Sequence, residues 1–271
     1  MRIERGQVAV ITGAASGIGR GLAEEAAARG LRLVLSDVDG KRLAALAEAL
    51  QGQGVEVATQ VGDVGDPMQV EALRDLAVQR FGGVDLLFNN AGVMQTGFCW
   101  EIDAAQWRRL LDINLGGVIN GIRSFVPLLL AQGRPAQVVN TASLAGLVCS
   151  PLLGPYTVSK QAVVALSETL HYELAQQQAQ VAVAVLCPGS VSSDIMRSNT
   201  PLGTATQQLD TLLDSSIRQG MAPRELAREV FAGIEAGRFW LLPHKTFKPA
   251  LERRMASILD ETNPVFQMAE L

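Results

Sequence analysis

Four polar side chains have types and spacing suited to moving a proton at an alcohol or carbonyl oxygen: Asn114, Ser143, Tyr156 and Lys160. Tyr156 and Lys160 stand four apart, so on a helix they share one face. A free phenol has a pKa of about 10, and at neutral pH only about one in a thousand is the phenolate needed as a base. Bringing it near 7 takes about three units, roughly 4 kcal/mol. A cation about 4 Å away supplies energy of that order at an effective dielectric near 20, so Lys160 is expected to lower Tyr156. A pKa near operating pH is what acid–base catalysis favours. Ser143 offers a short hydroxyl that can donate to a substrate oxygen as charge develops on it. Asn114 sits among Leu110, Leu111, Ile113, Leu115 and Val118, where a buried amide needs a hydrogen-bonding partner. Singly, each has an ordinary explanation: helix neighbours, a strand-end cap, a satisfied core amide.

These residues must be held by a scaffold, and the chain alternates short β-branched runs with longer alanine-rich helical stretches. The strand candidates are 8–12, 32–36, 55–60, 86–89, 137–141, 181–187 and 239–242, and the helical ones 18–29, 40–50, 67–81, 104–130, 156–176 and 223–236. Such alternation predicts βαβ units around a parallel sheet. The strands are continuously apolar, as when helices cover both faces. Right-handed crossovers then give an α/β, doubly wound, seven-stranded parallel Rossmann fold. The whole of 1–271 is expected to be one domain, with 189–222, rich in Ser, Thr and Gln, as a substrate-binding loop without a clear strand. The C-terminal extension 243–271 carries no readable motif.

The first apolar run ends in Thr12-Gly13-Ala14-Ala15-Ser16-Gly17-Ile18-Gly19 and passes directly into a helical pattern. Strand, glycine turn and helix start together form a pyrophosphate cradle, with bare backbone and unpaired N–H groups facing the anion. A plain βα turn is the alternative. The second strand ends at Asp37, where a carboxylate can accept the adenosine ribose hydroxyls and repel a 2′-phosphate. Val38 and Asp39 follow it, and position 16 is serine rather than a basic residue. This pattern favours NAD over NADP.

Bulk composition excludes several classes. Of 271 residues 48% are hydrophobic and 18% charged, with a net charge of -4, so no basic face for nucleic acid is expected. No uninterrupted apolar run suggests a membrane span. Three scattered cysteines and two histidines give neither a disulfide framework nor a metal site. The expectation is a cytoplasmic protein with reduced thiols.

Taken in order, the motifs resemble the short-chain dehydrogenase/reductase family in its compact single-domain form. The resemblance spans residues 5 to 241 and rests on the G-x-x-x-G-x-G spacing, Asp63-Val64, Asn89-Asn90-Ala91-Gly92, Asn114, Ser143, the Tyr156/Lys160 pair and Pro188-Gly189. It implies that Gly13, Ser16, Gly17, Ile18, Gly19, Asp37, Asp63, Val64, Asn90, Ala91, Gly92, Pro188, Gly189, Val191 and Ser193 bind the dinucleotide along with Tyr156 and Lys160. Ser193 replaces the family's usual threonine and keeps its hydroxyl. By the same resemblance Asn114 fixes a water beside Lys160, Lys160 holds the nicotinamide ribose, and the positive oxidised ring adds to the lowering of Tyr156. The oxidative direction removes the hydroxyl proton to Tyr156 as the carbinol hydride moves to the nicotinamide.

The expected substrate walls, 93–100, 144–155 and 191–221, contribute Met94, Phe98, Trp100, Leu147, Val148, Leu152, Leu153, Ile195 and Met196. With Ser143 and Tyr156, the closest substrate contacts are expected at Met94, Leu153 and Met196. This apolar set suits a hydrophobic secondary alcohol or ketone. The stretch 144–155 also resembles that of bacterial relatives that oxidise benzylic alcohols. Helices 104–130 and 156–176 are apolar on more than one face, and in the resembled family they pair across a two-fold axis, implying a homodimer or homotetramer. A catalytically silent dinucleotide-binding or regulatory protein on the same fold is the alternative, since a fold alone does not fix function. An epimerase or dehydratase would be longer, with a different glycine spacing.

Overall fold

In a computed structural model that describes residues 1–197, 199 and 203–266, seven strands form a single parallel sheet in the order β3-β2-β1-β4-β5-β6-β7. They are β1 (Val8–Thr12), β2 (Arg32–Asp37), β3 (Val57–Val61), β4 (Leu86–Asn89), β5 (Ala136–Thr141), β6 (Val181–Leu186) and β7 (Trp240–Leu241). The central strands are buried along their whole length because helices cover both faces. One face packs α1 (Gly17–Ala28), α2 (Gly40–Gln51) and α8 (Pro223–Glu235) around Leu22, Leu35 and Phe231; the other buries Leu73, Phe125 and Leu170 of α3 (Pro67–Phe81), α5 (Gly117–Ala131) and α6 (Gly154–Gln176). The strand order reverses between β1 and β4. In open α/β sheets a cleft forms there, outside the carboxyl ends of the strands. Both the glycine loop after β1 and the Asn89-Asn90 segment at the end of β4 therefore arrive at one place.

Three elements differ from the sequence pattern. The single helix expected over 104–130 is α4 (Ala104–Leu111), a π-turn (Asp112–Gly116) and α5. The break centres on Asn114, whose side chain is fully buried and bonds outside its own helix. Periodicity of apolar residues does not reveal such a one-residue widening. Residues 104–131 are also long and apolar enough to satisfy the length and composition of a membrane span, with a mean hydropathy of 1.4 over the best window. That apolarity belongs here to a core helix, since α5 buries Val118, Phe125 and Leu129 against the sheet and α3.

The segment 189–222, expected to be a loop, contains α7 (Thr204–Arg218), whose Ser, Thr and Gln content masked its Leu209, Leu213 and Ile217 stripe. Residues 198 and 200–202 of that segment lie outside the described residues. The C-terminal extension carries α9 (Lys248–Leu259) and a strap that leads to it; 267–271 are likewise outside the described residues. The strap and α9 are fastened to the body of the protein along their length. His244 Nδ1 accepts the Gly189 N–H at 3.0 Å, Phe247 is buried with Val185 and Cys187, and Arg254 Nη1 donates to the Leu147 carbonyl at 2.8 Å.

Candidate active site

One cavity of about 820 Å³ occupies the cleft at the strand ends. It is lined at one end by Asp37, Asp39 and Asp63, in its middle by Gly13, Ser16, Gly17 and Ile18, and at the other end by Ser143, Tyr156 and Lys160. Val64, Asn90, Ala91, Gly92, Pro188, Gly189, Val191 and Ser193 complete the walls near these groups. Gly19 does not line the cavity. A Cβ there would stand 2.0 Å from the Gly13 carbonyl oxygen, so its place is to let α1 close on the loop rather than to touch a ligand.

The middle of the cavity has the features of a pyrophosphate cradle. A Cβ on Gly13 would reach 2.8 Å from Ala91 Cα, and on Gly17 2.7 Å from Ser193 Cβ, and both backbones are left-handed, with φ of 64° and 48°. Ser16 precedes α1 without capping it by its side chain, so the first N–H groups of the helix are free of that partner. Asp37 Oδ2 accepts the Ala15 N–H at 2.9 Å and Oδ1 the Asp39 N–H at 2.9 Å, which fixes the carboxylate at the mouth of the glycine loop. Each oxygen retains a lone pair for a ribose hydroxyl. The residues present therefore fit a dinucleotide.

The Asn89-Asn90 segment crosslinks the strands beneath it. Thr12 Oγ1 accepts the Asn90 and Ala91 N–H groups at 2.9 and 3.1 Å, and Asn90 Nδ2 donates to the Thr12 carbonyl at 3.0 Å. Below it, Asn89 Nδ2 donates to Asn140 Oδ1 at 2.9 Å, and Asn140 Nδ2 donates to Ser167 Oγ at 3.0 Å. This buried amide chain ties β4, β5 and α6 together, so the helix bearing Tyr156 and Lys160 is registered against the strand ends.

At the far end, Ser143 and Tyr156 line the cavity together, and the Ser143 hydroxyl accepts the Ala145 N–H at 3.2 Å. Lys160 is 2% exposed, donates from Nζ to the Thr141 carbonyl at 2.9 Å, and stands 5.7 Å from the Tyr156 ring centre. Burial raises the phenol above its ordinary value, with the Ser143 side chain pulling the other way. The expected lowering of Tyr156 by Lys160 is thus not what the side chains alone produce. The phenol is shut from water, and the ammonium is itself pushed down to about 8 by burial. Cys187 lies behind both; burial pushes its thiol up to about 12, despite a hydrogen bond from the Ser143 backbone.

Asn114 is off the cavity wall. Its Oδ1 accepts the Val93 N–H at 2.8 Å, and its Nδ2 donates to the Val93 carbonyl at 2.9 Å and Ser159 Oγ at 3.1 Å. The side chain thereby clamps the segment after Gly92 to α6. Met94 and Leu153 line the cavity and pack with Tyr156 and Leu110, whereas Met196 packs against that cluster without lining the cavity. Among the other expected wall residues, Val148 and Ile195 line it. Trp100 is 79% exposed and stacks on Phe98 outside it; Leu147 packs behind it with Val163; and Leu152 holds a left-handed backbone whose carbonyl takes the Gly97 N–H. Within the expected 191–221 wall, Leu209 and Leu213 of α7, not singled out from the sequence, cover the substrate end, while Asp194 and Arg197 of the same stretch stand at the opposite end with Arg42, which the sequence pattern missed. The five-residue step from Asp37 to Arg42 is the signal in the sequence for this arginine.

Comparison with known proteins agrees with this arrangement. The profile of the family described as "short chain dehydrogenase" matches residues 7–202. The chain is 31% identical to a "CLA biosynthesis dehydrogenase/reductase" of Lactiplantibacillus plantarum, with 97% of each protein covered. It is 38% identical to a "1-deoxy-11-beta-hydroxypentalenate dehydrogenase" of Streptomyces avermitilis over 70% of each. A solved short chain dehydrogenase/reductase from Burkholderia phymatum, in complex with NAD, superposes with a TM-score of 0.96 at 38% identity, covering 99% of both chains.

Proposed function

Since the chain belongs to the short-chain dehydrogenase/reductase family, whose members here are oxidoreductases acting on hydroxy groups, we propose that it uses NAD to interconvert a hydrophobic secondary alcohol and its ketone, with Tyr156 transferring the proton. The observation that carries this reading is the convergence of Tyr156, Ser143 and Lys160 on one end of a cavity where Met94, Leu153, Leu209 and Leu213 supply an apolar wall. Asp37 at the opposite end favours an unphosphorylated ribose, in keeping with the NAD held by the Burkholderia relative.

When bound, the nicotinamide supplies or accepts the hydride; the remaining work falls to the side chains. In reduction the neutral Tyr156 phenol donates its proton to the carbonyl oxygen, and Ser143 donates a hydrogen bond to the same oxygen as charge grows on it. In oxidation Tyr156 takes the hydroxyl proton, and a protonated Lys160 beneath it stabilises the phenolate. Leu153, Met94 and the α7 leucines Leu209 and Leu213 exclude water and accept an apolar body, which suits a hydrophobic alcohol. The exposed face of α6, with Val158, Ala162, Ala165, Thr169 and Tyr172 at alternating four- and three-residue steps, supports assembly as a homodimer or homotetramer.

The test is a panel of apolar secondary alcohols with NAD and with NADP, read at the reduced-nicotinamide absorbance, for the wild type and Tyr156→Phe. We expect NAD-linked turnover that falls about a thousandfold or more in the variant, with dinucleotide affinity changed only a few-fold. Dinucleotide binding with no turnover of any alcohol or ketone would overturn the proposal.

A further inference from the structure

Charge at the adenosine end of the cleft is arranged across two distant segments. Arg42, in the first turn of α2, lines the cavity beside Asp37 and Asp39 and is within electrostatic reach of the Asp37 carboxylate. Its Nη1 donates to Asp194, on the segment leaving β6, and its Nε stands 3.6 Å from Asp39 Oδ2. From that same segment Arg197 Nη1 donates to Asp39 Oδ2 at 3.3 Å. Two arginines and two aspartates thus alternate across the cleft, joining residues 152 and 158 positions apart. Immediately before Asp194, Ser193 lies on Gly17, so this segment is laid over the pyrophosphate cradle.

The two nicotinamide dinucleotides differ by one 2′-phosphate on the adenosine ribose. An arginine near that ribose can accommodate the phosphate, and the guanidinium fork matches its geometry. Arg42 is placed to do this, but its Nη1 is held by Asp194 and its Nε faces Asp39. We propose that Asp194 is a cofactor-selecting residue: by holding Arg42 it withholds the cation that would receive a 2′-phosphate, so exclusion of NADP is set from the substrate-side segment as well as by Asp37. This rests on the NAD reading given above. Asp37, Asp39 and Asp194 against Arg42 and Arg197 leave one net negative charge, three against two, facing a phosphate of about -2. Asp194→Asn brings the group to neutrality and frees Nη1. The side chains are between 32% and 66% exposed, so solvent and salt screen them and the effect is moderate.

The experiment is calorimetric titration of the full chain with NADP and, separately, NAD, at low and high salt. Asp194→Asn is expected to lower the ratio of the NADP to the NAD dissociation constant about fivefold at low salt, less at high salt. Arg42→Gln added to Asp194→Asn is expected to remove the gain. A ratio unchanged in Asp194→Asn, or a gain that survives loss of Arg42, overturns the proposal. Loosening of the segment raises both constants together and leaves the ratio readable. A wild type that binds NADP more tightly than NAD would sink the NAD reading, while the direction of the Asp194→Asn shift still decides the part played by Asp194.

Discussion

Lys160 shows at the scale of one residue how a site is held against the interest of the fold. Its ammonium is buried, donates to the Thr141 carbonyl, and is pushed from 10.5 to about 8. A depressed lysine pKa means that the unfolded chain holds its proton more tightly than the folded one. The resulting cost, on the order of 3 kcal/mol, is fully present below pH 8 and disappears as pH rises toward 10.5. Lys160→Met is therefore expected to be inactive yet more stable than the wild type at pH 7. After allowance for the orphaned Thr141 carbonyl the gain is about 2 kcal/mol. Urea unfolding at several pH values checks this: the gap should close between pH 8 and 10.5, and a variant less stable at pH 7 would contradict it. The side-chain identities at this site were legible in the sequence, because Tyr156, Lys160 and Ser143 are chemically distinctive. Their electrostatics were not. Spacing places a cation near a phenol, but burial, which spacing cannot give, moves both groups in the direction that disfavours charge.

At the scale of elements, the strands and the helices of the sheet were readable from apolar runs and glycine turns, because a parallel sheet covered on both faces demands them. The π-turn at Asn114 was not, since one residue of widening leaves the apolar pattern of 104–130 intact. Nor was α7, where a polar composition outweighed a leucine stripe. The positions of small residues between elements were also unread. Gly121 on α5 is one: a Cβ there would fall 2.0 Å from Asn89 Oδ1, in the amide chain that continues to Asn140 and Ser167. Backbone and a committed side chain meet at that point, so neither can give. Gly121→Ala is expected to destabilise the protein by about 3 kcal/mol, visible as a lower urea midpoint. It should also reduce kcat, because β4, β5 and α6 would lose their shared register. An alanine variant with wild-type stability would show that α5 can shift away from β4.

Over the whole molecule, the sheet order brings the glycine loop, the Asn89-Asn90 segment and the start of α6 to one edge, and alternation of strands and helices was enough to anticipate that. The proposed assembly rests on what remains outside. Val158 is 51% exposed and Tyr172 65% exposed on a helix face that is otherwise alanine and threonine. A second copy packed there would be disrupted by a buried, unpaired carboxylate. Val158→Asp is expected to convert the oligomer to the monomer, measured as mass by light scattering at micromolar concentration; a wild type already of monomer mass would dismiss the assembly. The strap from His244 to Arg254 has a different consequence. Seven strands are complete by Leu241, but the hydrogen bond beneath Gly189 and the anchor on the Leu147 carbonyl come from residues translated later. Chains fold from their N-terminal end as they are made. A chain ended after β7 would keep every strand of the sheet and the mouth of the cleft, while the floor beneath Gly189 and the Leu147 carbonyl lost their braces, so the finish of the site lies in residues that the sheet itself does not use.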